Sequence, residues 1–260
     1  MMPSSPTVKY EVRDRIAWVT LNRPEVMNAL NTEIRNAVME TIQEATRDDD
    51  VLVIITTGEG GRAYSAGADL KERAQQDTTA SAGATANLWH SVQACPKPII
   101  AAIDGYCLAG GFQLSLCCDI RVATENSRFG LPEARRSLVT GGDDYDPMAQ
   151  MVPLGECLWI GLTGGHMTAK RAYEIGLIQA LVPDRDAVFA EAERVANEIK
   201  LCAPLAVRAV KRIIKVGRNL PLHYSEIFSE ALRDEVMKSE DRLEGPRAFV
   251  EKRAPIWKGR

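Results

Sequence analysis

Residues 51–57, Val-Leu-Val-Ile-Ile-Thr-Thr, form a nearly unbroken apolar and β-branched run. A run of this kind fits a strand buried on both faces, the situation of a parallel sheet covered by helices. Residues 99–103, Ile-Ile-Ala-Ala-Ile, repeat the pattern. Each run is soon followed by glycines and small residues and then by a helix signal, so the first half of the chain reads as alternating strand and helix. That alternation points to an α/β fold.

The elements around these runs follow from local signals. Residues 8–12 and 16–21 are rich in β-branched and aromatic side chains and flank Arg13-Asp14, which predicts a hairpin. Asn31 or Thr32 can cap a helix in which Ile34, Val38, Ile42 and Ala45 share one face. Residues 74–86 lack periodicity and are expected to be mobile or only partly helical. A helix carrying Leu88, Trp89 and Val92 should stop before Cys95-Pro96, and an apolar helix should run from about Gly111 to Cys117. Strand signals recur at 119–123 and 128–130. From Pro147 onward helix signals follow one another with little strand between them, over 155–162, 168–175, 186–200, 204–216, 221–238 and 240–252. We therefore expect a core over residues 1–198 and a helical C-terminal region over 199–260.

Composition excludes several classes. A net charge of −3 gives no reason to expect a nucleic-acid partner. Lys252, Arg253, Lys258 and Arg260 are nonetheless gathered near the end, where they form either a local anion site or a solvated basic tail. No apolar run approaches the roughly 20 residues that cross a bilayer, and residues 1–7 lack a signal-peptide core, so no membrane insertion and a cytoplasmic location are expected. The six cysteines show no C-x-x-C pair and read as buried small apolar residues. The three histidines have no neighbouring carboxylate or cysteine pattern, so no metal is expected.

The chemistry concentrates in Ser65-Ala66-Gly67-Ala68-Asp69-Leu70 and Asp104-Gly105-Tyr106-Cys107-Leu108-Ala109-Gly110-Gly111-Phe112-Gln113. Both place small residues between a β-rich run and a helix, which leaves backbone N–H groups free to point at one oxygen. Two such donors make an oxyanion hole.

These residues resemble the crotonase, or enoyl-CoA hydratase/isomerase, superfamily. The resemblance rests on Leu21-Asn22-Arg23-Pro24 with Asn28-Ala29-Leu30, on Ser65 through Lys71, and on Gly105-Tyr106 through Gly111. It continues through Cys118-Asp119-Ile120, Phe129-Gly130-Leu131-Pro132-Glu133 and, near the end, Glu244-Gly245-Pro246 with 248–253, in matching order. It implies a fold of repeated ββα units, an acyl-CoA thioester as substrate, and a homotrimer or dimer of trimers. No cofactor is implied, because coenzyme A is part of the substrate. Ala68 and Gly110 then supply the two donors to the thioester carbonyl. The resemblance also points to Ala66, Asp69, Leu70 and Gly111 around the substrate, to Lys71 near the phosphates or adenine, and to Lys252 near the nucleotide of an adjacent subunit.

The chain departs from the family pattern in two places. Its hydratases use two glutamates, one to hold or activate water and one to deliver a proton to the α-carbon; the first falls on Gln113 here and the second on Glu133. An amide donates to and accepts from water but takes up no proton, so Gln113 is excluded as a general base and Glu133 remains. Beyond Glu133, where the family commonly carries further glycines, this chain has Asp143 and Asp144, either in a solvated acidic loop over 141–150 or as an auxiliary acid. Reversible hydration of a 2-enoyl-CoA through a thioester enolate is the leading expectation. Double-bond isomerisation with Glu133 as the single shuttle is its rival, and acyl-CoA binding without turnover is the alternative from another class.

Overall fold

The computed structural model describes residues 5–75, 81–139 and 142–260, with side chains described throughout except at 81–87 and 142–146. The chain divides into two compact units, Met1–Cys95 with Ile99–Arg194, and Pro96–Pro98 with Val195–Arg260.

In chain order the first unit carries β1 (Val8–Arg13), β2 (Ile16–Leu21), α1 (Thr32–Arg47), β3 (Val53–Gly58), β4 (Ala63–Ser65), α2 (Leu70–Gln75) and α3 (Ser81–Ala94). Next come β5 (Ile99–Ile103), β6 (Tyr106–Leu108), α4 (Gly110–Cys117), β7 (Ile120–Thr124), β8 (Arg128–Gly130) and a 3-10 turn at Pro132–Arg136. The unit continues through α5 (Gly142–Met151), α6 (Leu154–Thr163), β9 (His166–Thr168), α7 (Ala169–Glu174), β10 (Ala180–Val182) and the start of α8 (Arg185–Lys200).

From β3 to β8 successive strands alternate between two sheets. One has the order β1-β2-β3-β5-β7-β10, the other β4-β6-β8-β9. Thus β3-β4, β5-β6 and β7-β8 each send one strand to each sheet before a helix or helical turn, which is the repeated ββα plan expected from the resemblance. β3 and β5 are buried at every position, as their apolar runs require. The β1-β2 hairpin closes on Asp14 and Arg15, both in the left-handed region at φ 48° and 63°, a backbone twist that matches the paired strands. Asn31 caps α1 by accepting from the Ile34 amide at 3.0 Å, and the face bearing Ile34, Val38, Ile42 and Ala45 is buried.

Several expectations are corrected. Of the segment read as an acidic loop over 141–150, residues 142–150 are helical in α5, with Pro147 inside it. The little strand expected beyond Pro147 consists of β9 and β10, whose three residues each are too few for a period-2 pattern to register. Five cysteines are buried as expected, but Cys202 is exposed. The expectation for 74–86 falls in part on 76–80, outside the described residues, while α3 begins at Ser81.

The second unit adds α9 (Pro204–Gly217), α10 (Leu222–Met237) and α11 (Asp241–Glu251) to the end of α8. Its C-terminal strap is fixed by the buried Asp241, whose carboxylate accepts from the Lys258 and Gly259 amides at 2.8 Å each. The basic cluster is largely neutralised within the unit. Arg253 pairs with Glu244 and Glu251, and Lys258 and Arg260 both pair with Glu240.

Candidate active site

Strands β4, β6 and β8 are parallel neighbours, so the segments that leave their C-terminal ends lie side by side. The first carries Ala68, the second Ala109 and Gly110, the third Glu133. Gly67, at φ +92°, makes the contact between the first two: a Cβ there would lie 2.4 Å from Ala109 Cβ and 3.0 Å from Gly110 N. A Cβ on Gly110, by contrast, would meet only ordinary contacts and would sit 3.7 Å from Ala68 N. Among the described residues no backbone acceptor takes the Ala68 or the Gly110 amide. Ala109 holds φ 50° and ψ −130°, a conformation costly for a residue with a Cβ. Its amide donates to Gly130 O at 2.9 Å, which ties the end of β6 to that of β8 and turns Gly110 into the first position of α4.

The Asn22 to Leu30 segment clamps this arrangement. Asn28 donates through Nδ2 to Ala63 O at 2.8 Å and Glu59 O at 3.0 Å, while Ser65 Oγ donates to Asn28 O at 2.8 Å. The Ala66 amide donates to Met27 O, the Leu30 amide to Gly67 O and the Asp69 amide to Leu30 O. Arg23 closes the clamp, donating to Ala29 O at 2.7 Å and to Asp69 Oδ2 at 3.0 Å. Burial works to raise the Asp69 carboxyl, but donation from Arg23 and from the Glu72 and Lys71 amides outweighs it and holds the group below the usual carboxylate range.

A cavity of about 330 Å³ opens in front of the two free amides. Gln113, one turn into α4 from Gly110, and Glu133, on the 3-10 turn after β8, both line it and are only 4% and 6% exposed. The tilted packing of Phe112 on Phe129, 5.6 Å between ring centroids, holds α4 against β8 behind them. Glu133 Oε2 is buried without a hydrogen-bond partner. Burial raises the Glu133 carboxyl above its ordinary range, against the opposing pull of its own backbone amide and of the Arg136 and Arg73 charges. A carboxyl in that state suits proton transfer near neutral pH.

The cavity thus brings together Ala66, Ala68, Asp69, Leu70, Gly110, Gln113 and Glu133 among the residues expected from sequence. Gly111 is not on its wall. It lies beneath the segment, where a Cβ would come within 2.5 Å of Ser65, so its smallness serves packing. Lys71 is exposed and off the wall, its amide capped by Asp69. Lys252 ends α11 in the second unit, exposed, at φ 53°. Asp143 and Asp144 fall in α5, and their side chains lie outside the described residues. No group of three metal-ligating side chains occurs among the described residues. Sequence reasoning missed the positioning roles of Arg23 and Asn28, although both stand in a motif quoted for the resemblance, and it missed Arg35, Arg73 and Arg136, which also line the cavity.

Comparison with known proteins gives a consistent result. The model of a family described as enoyl-CoA hydratase/isomerase matches residues 11–260. The (E)-benzylidenesuccinyl-CoA hydratase of Thauera aromatica is 34% identical, over 97% of this chain and 99% of its own. The 2,3-dehydroadipyl-CoA hydratase of Escherichia coli (strain K12) is also 34% identical, over 95% and 97%. The crystal structure of an enoyl-CoA hydratase from Bacillus anthracis superposes with a TM-score of 0.93 at 31% identity, covering 98% of this chain and 100% of that one.

Proposed function

The chain belongs to the enoyl-CoA hydratase/isomerase family and processes acyl-CoA thioesters, and we propose that its reaction is the reversible hydration of a 2-enoyl-CoA by one carboxylate and one carboxamide. The observation that carries this reading is Glu133, a buried carboxyl with an unpartnered oxygen, in one cavity with Gln113 and two free backbone amides.

In this reading the thioester oxygen accepts from the Ala68 and Gly110 amides. Gln113 holds a water against the β-carbon, accepting from it through its carbonyl oxygen or donating through its NH₂. Glu133 takes one proton from that water as its oxygen bonds to the β-carbon. The π electrons move toward the thioester, and the oxygen becomes the enolate oxygen, stabilised by the fixed N–H dipoles at about 3 kcal/mol per donor. The enolate then collapses, and its α-carbon takes the proton back from Glu133. Water adds as H and OH, the carboxylate is regenerated, and no external acid is needed. Coenzyme A enters as part of the substrate and no further cofactor is invoked.

Gln113 also favours a second reading. Isomerisation needs one carboxylate to move a proton between two carbons and no activated water, and Glu133 alone meets that need. Hydration assayed by loss of enoyl absorbance, with Gln113→Glu beside the native protein, separates the two. Native turnover supports hydration. A rise of orders of magnitude on restoring a second carboxylate assigns the native chain to isomerisation.

For the second unit we propose a role in assembly, as a homotrimer or dimer of trimers in the cytoplasm. Val210, Ile214, Ile227, Phe249 and Val250 are left exposed on its helices, and apolar side chains in such number suit an interface. No helix among the described residues is long and apolar enough to cross a membrane.

A further inference from the structure

Three arginines and three acids line the cavity wall, but two of the acids are already engaged. Asp69 is held by Arg23, and Glu72 accepts from the Thr32 amide and pairs with Arg35. Those acids are therefore spoken for. Arg73, on α2, and Arg136, on the 3-10 turn beside Glu133, reach the same cavity from two different elements. Among the described residues neither pairs with a carboxylate; the only side-chain hydrogen bond of Arg136 runs to Pro132 O at 3.4 Å. Arg35, on α1, is 5% exposed, lines the same cavity, and keeps a buried Nε without a partner.

A hydrocarbon acyl tail gains nothing from guanidinium groups that no described carboxylate takes. Their charges also act on Glu133 and make it a weaker base, the reverse of what hydration of a neutral chain wants. The phosphates of coenzyme A do not account for them either. The pantetheine arm, with its two amide units, separates the diphosphate from the thioester, whereas both arginines line the same cavity as the carboxyl beside the reacting carbons. An anion belonging to the acyl group satisfies both facts, since it supplies acceptors for the guanidiniums and screens Glu133 from them.

We propose that the acyl group carries a second carboxylate at the end away from the thioester, bound by Arg73 and Arg136 with Arg35 on the same cavity wall, so that the substrate is the half-thioester of an unsaturated dicarboxylic acid. This rests on the acyl-CoA reading of the cavity and names the substrate class within it.

Binding of two saturated, unreactive thioesters of equal length, adipyl-CoA and hexanoyl-CoA, tests the assignment by titration calorimetry without requiring turnover. The native protein should bind adipyl-CoA about tenfold tighter or better. Arg73→Met and Arg136→Met should each cut that ratio by about threefold or more, their combination should bring it near one, and Arg136→Lys should keep part of it. Both side chains are exposed, so the variants should fold, and circular dichroism checks that they do. Equal binding of the two thioesters by the native protein overturns the proposal. So does an equal loss for both in the variants, which would assign the guanidiniums to the phosphates of coenzyme A. A hydration assay with 2-hexenoyl-CoA and its terminal carboxylate analogue stands apart: absence of turnover with both, beside a clear adipyl preference, refutes hydration and leaves the carboxylate site intact.

Discussion

The amide nitrogen of Ala68 lies 3.7 Å from the point where a side chain on Gly110 would begin, and nothing in the surrounding protein crowds that point. The fold thus does not require a glycine here, and the proposed reaction uses its amide for the thioester oxygen. Gly110→Ala should keep the melting temperature of the native protein within about 2 °C, while its methyl intrudes between the two donors and lowers kcat/KM by roughly 10²-fold. Gly67→Ala should do the opposite in kind. It meets Ala109 Cβ at 2.4 Å from a left-handed backbone, so loss of activity there should come with a fall in stability of about 2 kcal/mol or more. Thermal melts beside steady-state rates for both variants check the distinction.

Ala109 bears a Cβ at φ 50°, ψ −130°, where glycine carries no penalty. Ala109→Gly should stabilise the protein by up to about 1 kcal/mol, measured by urea denaturation, because relief of strain exceeds the added freedom of the unfolded chain. A clear loss of stability would mean that the contact of its methyl group with Gly67 outweighs the strain.

Removing Arg23 strands a largely buried carboxylate. Arg23→Met should cost about 2 kcal/mol at neutral pH and reduce turnover by loosening the Ala66 to Asp69 segment. Asp69 is held below the usual carboxylate range in the folded state, so the pair's contribution is complete above the unfolded value and disappears as pH falls through the folded one. The stability gap between native and variant protein should therefore close in acid. A gap constant down to pH 3 would contradict the ion-pair account.

Glu133 has the reverse sign. Its carboxyl is raised by burial, so the folded state tolerates the protonated form better and loses stability as pH rises through the folded value. Glu133→Gln should lower kcat by roughly 10³-fold. It should also raise the melting temperature at pH 8, with the advantage vanishing below pH 4. The native kcat/KM profile should show an acid limb above the ordinary carboxylate range.

Much of this was readable from residue order because the signals were long or chemically sharp. The apolar runs of β3 and β5, the Asn31 cap and the stripe along α1 are local patterns that tertiary packing reinforces. Ala68, Gly110, Gln113 and Glu133 were found through motif order. The three-residue strands β4, β6 and β9 were not, since their pairing is decided by neighbours distant in sequence. Gly111 lies against Ser65 and off the cavity wall, and a glycine that admits a ligand and one that admits Ser65 look alike in a sequence. Nothing in residue order sets Arg73 and Arg136 apart from other charged residues, and only the fold turns them onto one cavity.

The central claim is that Glu133 adds water across an enoyl thioester held by Ala68 and Gly110. Turnover of a 2-enoyl-CoA in H₂¹⁸O, followed by mass spectrometry of the product thioester, tests it most directly. The account predicts one ¹⁸O in a 3-hydroxyacyl product, formed by the native protein and lost in Glu133→Gln. Recovery of unlabelled thioester, either unchanged or with its double bond moved, would contradict it.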